Sequence, residues 1–275
     1  MKHAVRSLGD LLYQTRDEIG PISVYQRKSR RFLTFGNGVE QSCCDLEHPA
    51  RLEHVYTQAM MLALLLQPDT SSALLLGLGG GSLARALRAV RLQLQIHAVE
   101  YRQAVIDVAR DFFALHDDRY LQLHCDDAQH YVNSDARQYD LLFADLYLAD
   151  SVHQAQQDAG FLSACRQRLS DHGVLLMNSW SSEFRDSVKA QRALQQAFGE
   201  QVIFFHVQGG NVIAFAFNGS MPDLRRNDFF GQAQQLGLRL GIPLQKLARN
   251  FWRQNSEPLQ LGRFSIKRRH SAVPG

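Results

Sequence analysis

The chain has 275 residues, 45% hydrophobic and 21% charged, an ordinary balance for a soluble globular protein that excludes a disordered or fibrous one. Its formal net charge of +3 is too mild to argue for nucleic acid as a partner, and the longest apolar run, ending at Leu66, is far too short to span a bilayer. Cys43, Cys44, Cys125 and Cys165 form no CxxC pair and no metal-finger spacing; they read as reduced thiols, and with no signal-peptide pattern at the start the expected compartment is the cytoplasm.

Up to Leu46 the chain carries short alternating apolar segments: Ile22, Val24 and Tyr25, then Phe32, Leu33 and Phe35, then Val39. Lys28-Ser29-Arg30 and Asn37-Gly38 read as hairpin turns, which predicts a small antiparallel sheet. Such a sheet is too small to stand alone and must pack on the main domain or on a second copy. Between Pro49 and Gln67, Leu52, Val55, Tyr56, Ala59, Met60, Ala63 and Leu64 recur at helical spacing until Pro68 breaks the pattern. One helix is expected there, either a wall of a ligand cleft or a plain packing helix.

The stretch LLLGLGGGSLARAL, Leu74 to Leu87, reads as a buried strand, a tight turn and the first turn of a helix. Glycines at 77, 79, 80 and 81 let the chain reverse and a ligand approach bare backbone. The helix that follows aims its free N–H groups at the turn. A second strand, Leu92 to Glu100, ends on a carboxylate about 20 residues beyond the glycines, the spacing at which an acid meets ribose hydroxyls. The pattern then repeats. A helix is expected over Tyr101 to Leu115, and a strand over Leu121 to Cys125 leads into Asp126-Asp127-Ala128. A further strand starts at Tyr139 and is apolar up to Asp145. A helix over Ala155 to Leu169, a strand over Gly173 to Trp180, a helix over Glu183 to Phe198 and a hairpin around Gln208-Gly209-Gly210 complete the set. The fold class is therefore α/β: a doubly wound, mostly parallel seven-stranded sheet with one reversed strand, preceded by a small antiparallel sheet. The expected divisions are 1–46, 47–220 and a C-terminal helical and basic tail, 221–275, with helices at Asp228 to Leu236 and Leu244 to Trp252.

Four strands in a row thus finish with chemistry at one edge of the sheet: the glycines, Glu100, Asp127 and Asp145. That edge is where open parallel sheets bind ligands. An acid after the third strand suits an adenine amino group, and Ser82 stands where the third glycine of G-x-G-x-x-G would lie, which disfavours a dinucleotide.

From about Gly20 to Phe217 the chain resembles the spermidine synthase family of aminopropyltransferases, built on the S-adenosylmethionine-dependent methyltransferase fold. The family's D-G-x-x-Q segment corresponds to Asn37-Gly38-Val39-Glu40-Gln41, and its G-G-G-D-G-G loop to Gly77-Leu78-Gly79-Gly80-Gly81-Ser82. Its ribose acid corresponds to Glu100, its G-D-A to Asp126-Asp127-Ala128, and its D-S/T-S/T-D-P segment to Asp145-Leu146-Tyr147-Leu148-Ala149. The resemblance implies a nucleoside site made by Gln41, Gly77, Gly79, Gly80, Gly81, Glu100, Asp127 and Ala128, with Asp145 as catalytic base. It also implies a homodimer formed through the N-terminal sheet. His54, Tyr147 and Asp150 are candidates for the acceptor pocket.

The chain departs from the family where amines are held. Gly80 and Leu148 replace two acids, and the Y-H/Q-E signature, matched to Leu52-Glu53-His54, lacks its tyrosine. A desolvated ammonium without a partner costs several kcal/mol, so the amine site is expected to be rebuilt. The bare N–H groups of Gly79 to Gly81 offer a seat for the carboxylate of an intact S-adenosylmethionine. The reading is a transferase using S-adenosylmethionine or its decarboxylated form and a small acceptor, an amine in the family. No metal is expected, because no histidine pair has a helical i,i+4 spacing. A non-catalytic nucleoside-binding or regulatory protein and an NAD-dependent oxidoreductase stay open as alternatives.

Overall fold

A computed structural model describes residues 8–36, 38–146, 156, 158–180 and 188–268. Strands β1 (Asp10–Arg16), β2 (Pro21–Arg27), β3 (Arg30–Thr34) and β4 (Glu40–Asp45) form an antiparallel sheet in chain order. Lys28 takes a φ of 57° in the β2–β3 turn, as the hairpin reading requires. β1 is an addition to the predicted elements. Its DLLYQTR has no alternating pattern because nearly every residue of this edge strand is exposed. Ile22, Val24, Leu33 and Cys44 cluster with Val105, Val108 and Phe113, so the small sheet packs on the main domain.

The main sheet contains β5 (Ser72–Leu76), β6 (Gln95–Glu100), β7 (Leu121–Cys125), β8 (Tyr139–Ala144), β9 (Leu169–Trp180), β10 (Val202–His206) and β11 (Asn211–Phe217). Their order is β10-β11-β9-β8-β5-β6-β7, with β11 antiparallel to both of its neighbours and the other pairs parallel. Winding runs outward from β5 in two directions, which puts the switch point, and with it the ligand crevice, between the carboxyl ends of β5 and β8.

Helices α1 (Val55–Met60) and α2 (Ala63–Leu66) lie where one helix was expected over 49–67. Tertiary contacts override the helical periodicity. Arg51 is drawn to Asp45 and Glu53, and Arg85 holds the Pro49 carbonyl. The chain therefore runs through turns closed by His48 N–H to Asp45 and Arg51 N–H to His48, and helix starts only after His54. Bonds from Met61 N–H to Gln58 and from Leu62 N–H to Ala59 then tighten the turn that separates the two helices.

The remaining helices are α3 (Ser82–Val90), α4 (Gln103–Phe112), α5 (Ala128–Ser134), α6 (Ala159–Gln167), α7 (Val188–Phe198), α8 (Arg226–Leu240) and α9 (Leu244–Arg268). α4 is shorter than the expected 101–115, since Arg102 sits in an extended cap and Ala114 turns left-handed at φ 51°. α5 is another addition, short but capped by the Asp127 side chain. Strand alternation sorts the sheet into two faces. Leu74, Leu76, Leu142 and Met177 share a core with α5, α6 and α7. Leu75, Phe143, Leu176 and Phe215 share the opposite core with α3, α8 and α9.

The C-terminal segment is bound into that second core. Phe251 packs edge-on against Phe205 and Phe215 at 5.5 and 5.1 Å and lies 6.0 Å from Phe229, with Phe229 and Trp252 also in contact. Phe251→Ala is expected to cost about 3–5 kcal/mol of unfolding free energy by chemical denaturation. A loss below about 1 kcal/mol would mean that α8 and α9 contribute nothing to the main core.

Candidate active site

At the carboxyl ends of β5, β6, β7 and β8, extended by β4, α1 and the end of β9, lies a cleft of about 870 Å³. Gln41, His54, Gly77, Gly79, Glu100, Asp127, Ala128 and Asp145 all line it. Gly80 and Gly81 do not belong to the wall. Tyr147, Leu148 and Asp150 lie outside the described residues, as does Asn37.

The glycine loop is shaped by its neighbours. Gly77 has a φ of 92°, and a Cβ there would come within 2.4 Å of the Asp145 carbonyl oxygen. A Cβ at Gly80 would meet Ser42 Oγ at 2.7 Å and Phe113 at 3.0 Å, so an aspartate at this position would have to displace the N-terminal sheet's serine. Arg85, buried beneath the loop, donates to the Gly80 carbonyl and to Ser82 Oγ. It thereby ties the loop to the segment at Pro49.

The half-buried Glu100 carboxylate accepts from Leu78 N–H at 3.2 Å, Arg102 N–H at 3.1 Å and Gly79 N–H. Burial pushes its carboxyl above the usual carboxylate range, and these donors pull it partly back. The Gly81 N–H is spent on the Leu78 carbonyl at 2.9 Å. Two of the three N–H groups expected to receive a substrate carboxylate are therefore already engaged, because the turn and Glu100 use them. Arg102 in turn forks onto Asp17 at 2.8 and 2.7 Å and bonds the Gly20 carbonyl at 2.7 Å. The β1–β2 connection is thus folded over the Glu100 end of the cleft, with Ile19 and Gly20 on its wall. Asp127 caps α5 by accepting from His130 N–H at 2.9 Å.

Asp145 follows β8 directly and is gripped from two sides. Tyr56 OH donates to Oδ2 at 3.0 Å and Asn178 Nδ2 to Oδ1 at 2.8 Å. Asn178 is itself oriented, accepting from Asn211 Nδ2 at 3.0 Å. Burial raises the Asp145 carboxyl above its ordinary value; the Asn178 and Tyr56 donors, and the nearby His54, lower it in part. The result is a carboxylate held in one rotamer and more basic than a solvated one, which fits it to take a proton.

Three of these residues were missed in the sequence. The motif match put the family's tyrosine at Leu52 and found none. In the structure Leu52 is 1% exposed in the core, whereas Tyr56, four residues on, presents a phenol to Asp145. Periodicity marks Tyr56 only as a buried-face residue, so the signal available was its place in the wall helix. Asn178 directly follows the apolar run of β9 and Asn211 opens the apolar β11, polar groups at the ends of buried strands and a signal that could have been read.

His54 hydrogen-bonds Glu40 at 2.8 Å on the cleft wall. Glu53, also on the wall, is ion-paired with Arg30 and Arg51. Among the described residues, six carboxylates (Glu40, Glu53, Glu100, Asp126, Asp127 and Asp145) line the cleft, against the guanidinium of Arg102 and the ring of His54. The arrangement suits a ligand that carries positive charge. Asp45, Glu47 and His48 come close enough together for a metal, but Asp45 is committed to Arg51, and the group is outside the cleft wall.

A family model described as the spermine/spermidine synthase domain matches residues 53–208. A polyamine aminopropyltransferase of Chromobacterium violaceum is 29% identical over 222 residues, covering 80% of this chain and 85% of that protein. One from Neisseria meningitidis is 26% identical over 229 residues, covering 82% and 87%. Among solved structures, a probable spermidine synthase from Corynebacterium glutamicum aligns with a TM-score of 0.68 at 18% identity, covering 87% of this chain and 93% of that one. A spermidine synthase in complex with the transition state analogue AdoDATO aligns with a TM-score of 0.69 at 16% identity, covering 91% and 88%. The structural likenesses establish the fold. Among the described residues, no helix is long and apolar enough to cross a membrane.

The Gly77 backbone generates a test of the loop. Gly77→Ala is expected to lose at least about 2 kcal/mol of stability by chemical denaturation, since left-handed backbone alone costs a residue with a Cβ about 1–2 kcal/mol and the contact with Asp145 adds to it. An alanine variant as stable as the parent would show that the loop is not fixed by that contact.

Proposed function

The chain belongs to the spermine/spermidine synthase family, and from that premise we propose that it transfers an aminopropyl group from decarboxylated S-adenosylmethionine to a small amine. The observation that carries the reading is the Asp145 carboxylate, held by Tyr56 and Asn178 in an otherwise acidic cleft. The acceptor nitrogen attacks the propyl carbon bound to the sulfonium. The carbon–sulfur bond breaks with its electron pair going to sulfur, methylthioadenosine leaves, and the proton lost by the nitrogen passes to Asp145. A carboxyl raised by burial accepts that proton better than a solvated one.

The nucleoside half of the site follows from the same proposal. In this reading Glu100 offers acceptor oxygens to the ribose hydroxyls, and Asp127, also on the cleft wall, accepts from the adenine amino group. His54 and Glu40 belong to the acceptor side, with Tyr147 and Asp150 as sequence candidates. The decarboxylated donor is favoured over the intact one because Glu100 and the turn engage two of the loop's three glycine N–H groups, and because the wall carries six carboxylates. Methyl transfer from intact S-adenosylmethionine is the second reading, favoured by Gly80, which supplies no acid for a donor ammonium. A homodimer through the N-terminal sheet belongs to the same proposal: β1 is an outer strand with Leu11, Leu12 and Tyr13 exposed.

Incubation with decarboxylated S-adenosylmethionine and putrescine or spermidine, followed by chromatography, is expected to yield methylthioadenosine and the extended amine. Release of S-adenosylhomocysteine from the intact donor instead would transfer the assignment to methylation, and neither product would leave a binding role. Asp145→Asn is expected to lower kcat/KM by about 10²–10⁴, the usual worth of a general base, while calorimetry shows nucleoside affinity within a few-fold of the parent. Full activity in that variant would remove Asp145 from the mechanism.

Tyr56→Phe removes a donor that favours the charged carboxylate, so it raises the Asp145 pKa further. The base works when ionised, so activity rises with pH through that pKa. The acid limb of the kcat/KM profile is therefore expected to move up by about one pH unit, the size of one charge-assisted hydrogen bond. A shift in the opposite direction would mean that the phenol does not donate to Asp145.

A further inference from the structure

The mild net charge conceals a segregation. Residues 221–275 hold ten Lys and Arg against three Asp and Glu, whereas residues 1–220 hold twenty against twenty-four. The C-terminal segment is therefore at +7 and the rest of the chain at −4. Arg225, Arg226, Arg239, Lys246, Arg249 and Arg253 are all exposed, and among the described residues none of them is ion-paired to a carboxylate.

Their placement is ordered. Lys246, Arg249 and Arg253 stand at i, i+3 and i+7 of α9, along one helical stripe. Arg226 of α8 joins that stripe across the helix pair. Its guanidinium and that of Arg249 lie 5.5 and 5.9 Å from the same Phe230 ring, which rests edge-on against Trp252. Two cations are thus held on one aromatic anchor with neither ion-paired to a carboxylate among the described residues, a geometry that an anionic ligand would relieve.

We propose that this face of α8 and α9 binds the phosphate backbone of nucleic acid. Three of the four side chains on the stripe (Arg226, Arg249 and Arg253, with Lys246) are arginines, whose planar fork matches phosphate oxygens. A lipid surface fits less well. An interfacial helix must offer an apolar face to the bilayer, and Leu244, Leu247, Phe251 and Trp252 of α9 are buried in the protein core instead. The sequence continues the basic character with Arg263, Lys267, Arg268 and Arg269. None of the four side chains on the stripe lines the transferase cleft, so this surface is separate from the proposed reaction.

The test is fluorescence anisotropy of a labelled RNA hairpin with the full chain across a salt series. Binding is expected at about 50 mM salt and should weaken steeply as salt rises, because each neutralised phosphate contributes about 0.7–0.9 to the slope of log K against log salt. The triple variant Arg226→Gln, Arg249→Gln, Arg253→Gln should lose at least about tenfold in affinity and about 2 in slope. Calorimetry with decarboxylated S-adenosylmethionine should give the same result for the variant as for the parent, whatever the outcome for RNA. No binding at low salt, or binding unchanged in the triple variant, overturns the proposal. Capture by phosphatidylglycerol vesicles without RNA binding overturns it in favour of an anionic lipid surface.

Discussion

The site depends on how closely two stretches of backbone pass. Gly77 leaves β5 and Asp145 leaves β8 as sheet neighbours, and the gap between them admits no side-chain carbon. Leu76 accepts the Asp145 N–H at 3.0 Å, and Gly77 donates to Val99 at 2.9 Å, so three strand ends are locked to one another before any ligand arrives. A glycine is required at 77 for both its left-handed φ and the contact. The proposed nucleoside loop and the proposed base are in this way parts of one rigid object, which is what positioning two reactants demands.

Around that junction, polar groups are buried and paired in a sequence that reaches outward. Asp145 is held by Asn178, and Asn178 by Asn211 on the reversed strand. Arg85 holds the glycine loop to the segment leading into α1, and α1 delivers Tyr56. The N-terminal sheet contributes Ser42 behind the loop and the Asp17–Arg102 pair beside Glu100. The small sheet is therefore a wall of the site as well as a packed appendage. Its removal would strip the support from both ends of the cleft.

The acid deficit noted against the family looks different in three dimensions. Gly80 faces the Ser42 hydroxyl and the Phe113 ring, and a tyrosine outside the matched motif, Tyr56, donates to Asp145. The cleft nevertheless keeps six carboxylates on the described wall. What the chain lacks at individual motif positions, it supplies in part from other places on the same surface. This is the physical basis for preferring a cationic donor and acceptor over a substrate carboxylate.

Much was legible from residues alone. The order of strands and helices, the glycine turn, and Glu100, Asp127 and Asp145 at successive strand ends all follow from local patterns, because a period of two or of 3.6 and the special backbone of glycine are written within a few residues. The helix over 49–67 was misread for the complementary reason. Its periodicity is genuine, but the Pro49 carbonyl is held by Arg85, 36 residues on, and no local pattern records that contact. Tyr56, Asn178 and Asn211 became visible as a constellation only when β8, β9, β11 and α1 were brought together. The sequence decided which groups stand at the strand ends; tertiary packing decided which of them meet, which are desolvated, and which N–H groups remain for a ligand. Those last quantities depend on distances between segments remote in sequence, and so they exist only in the folded chain.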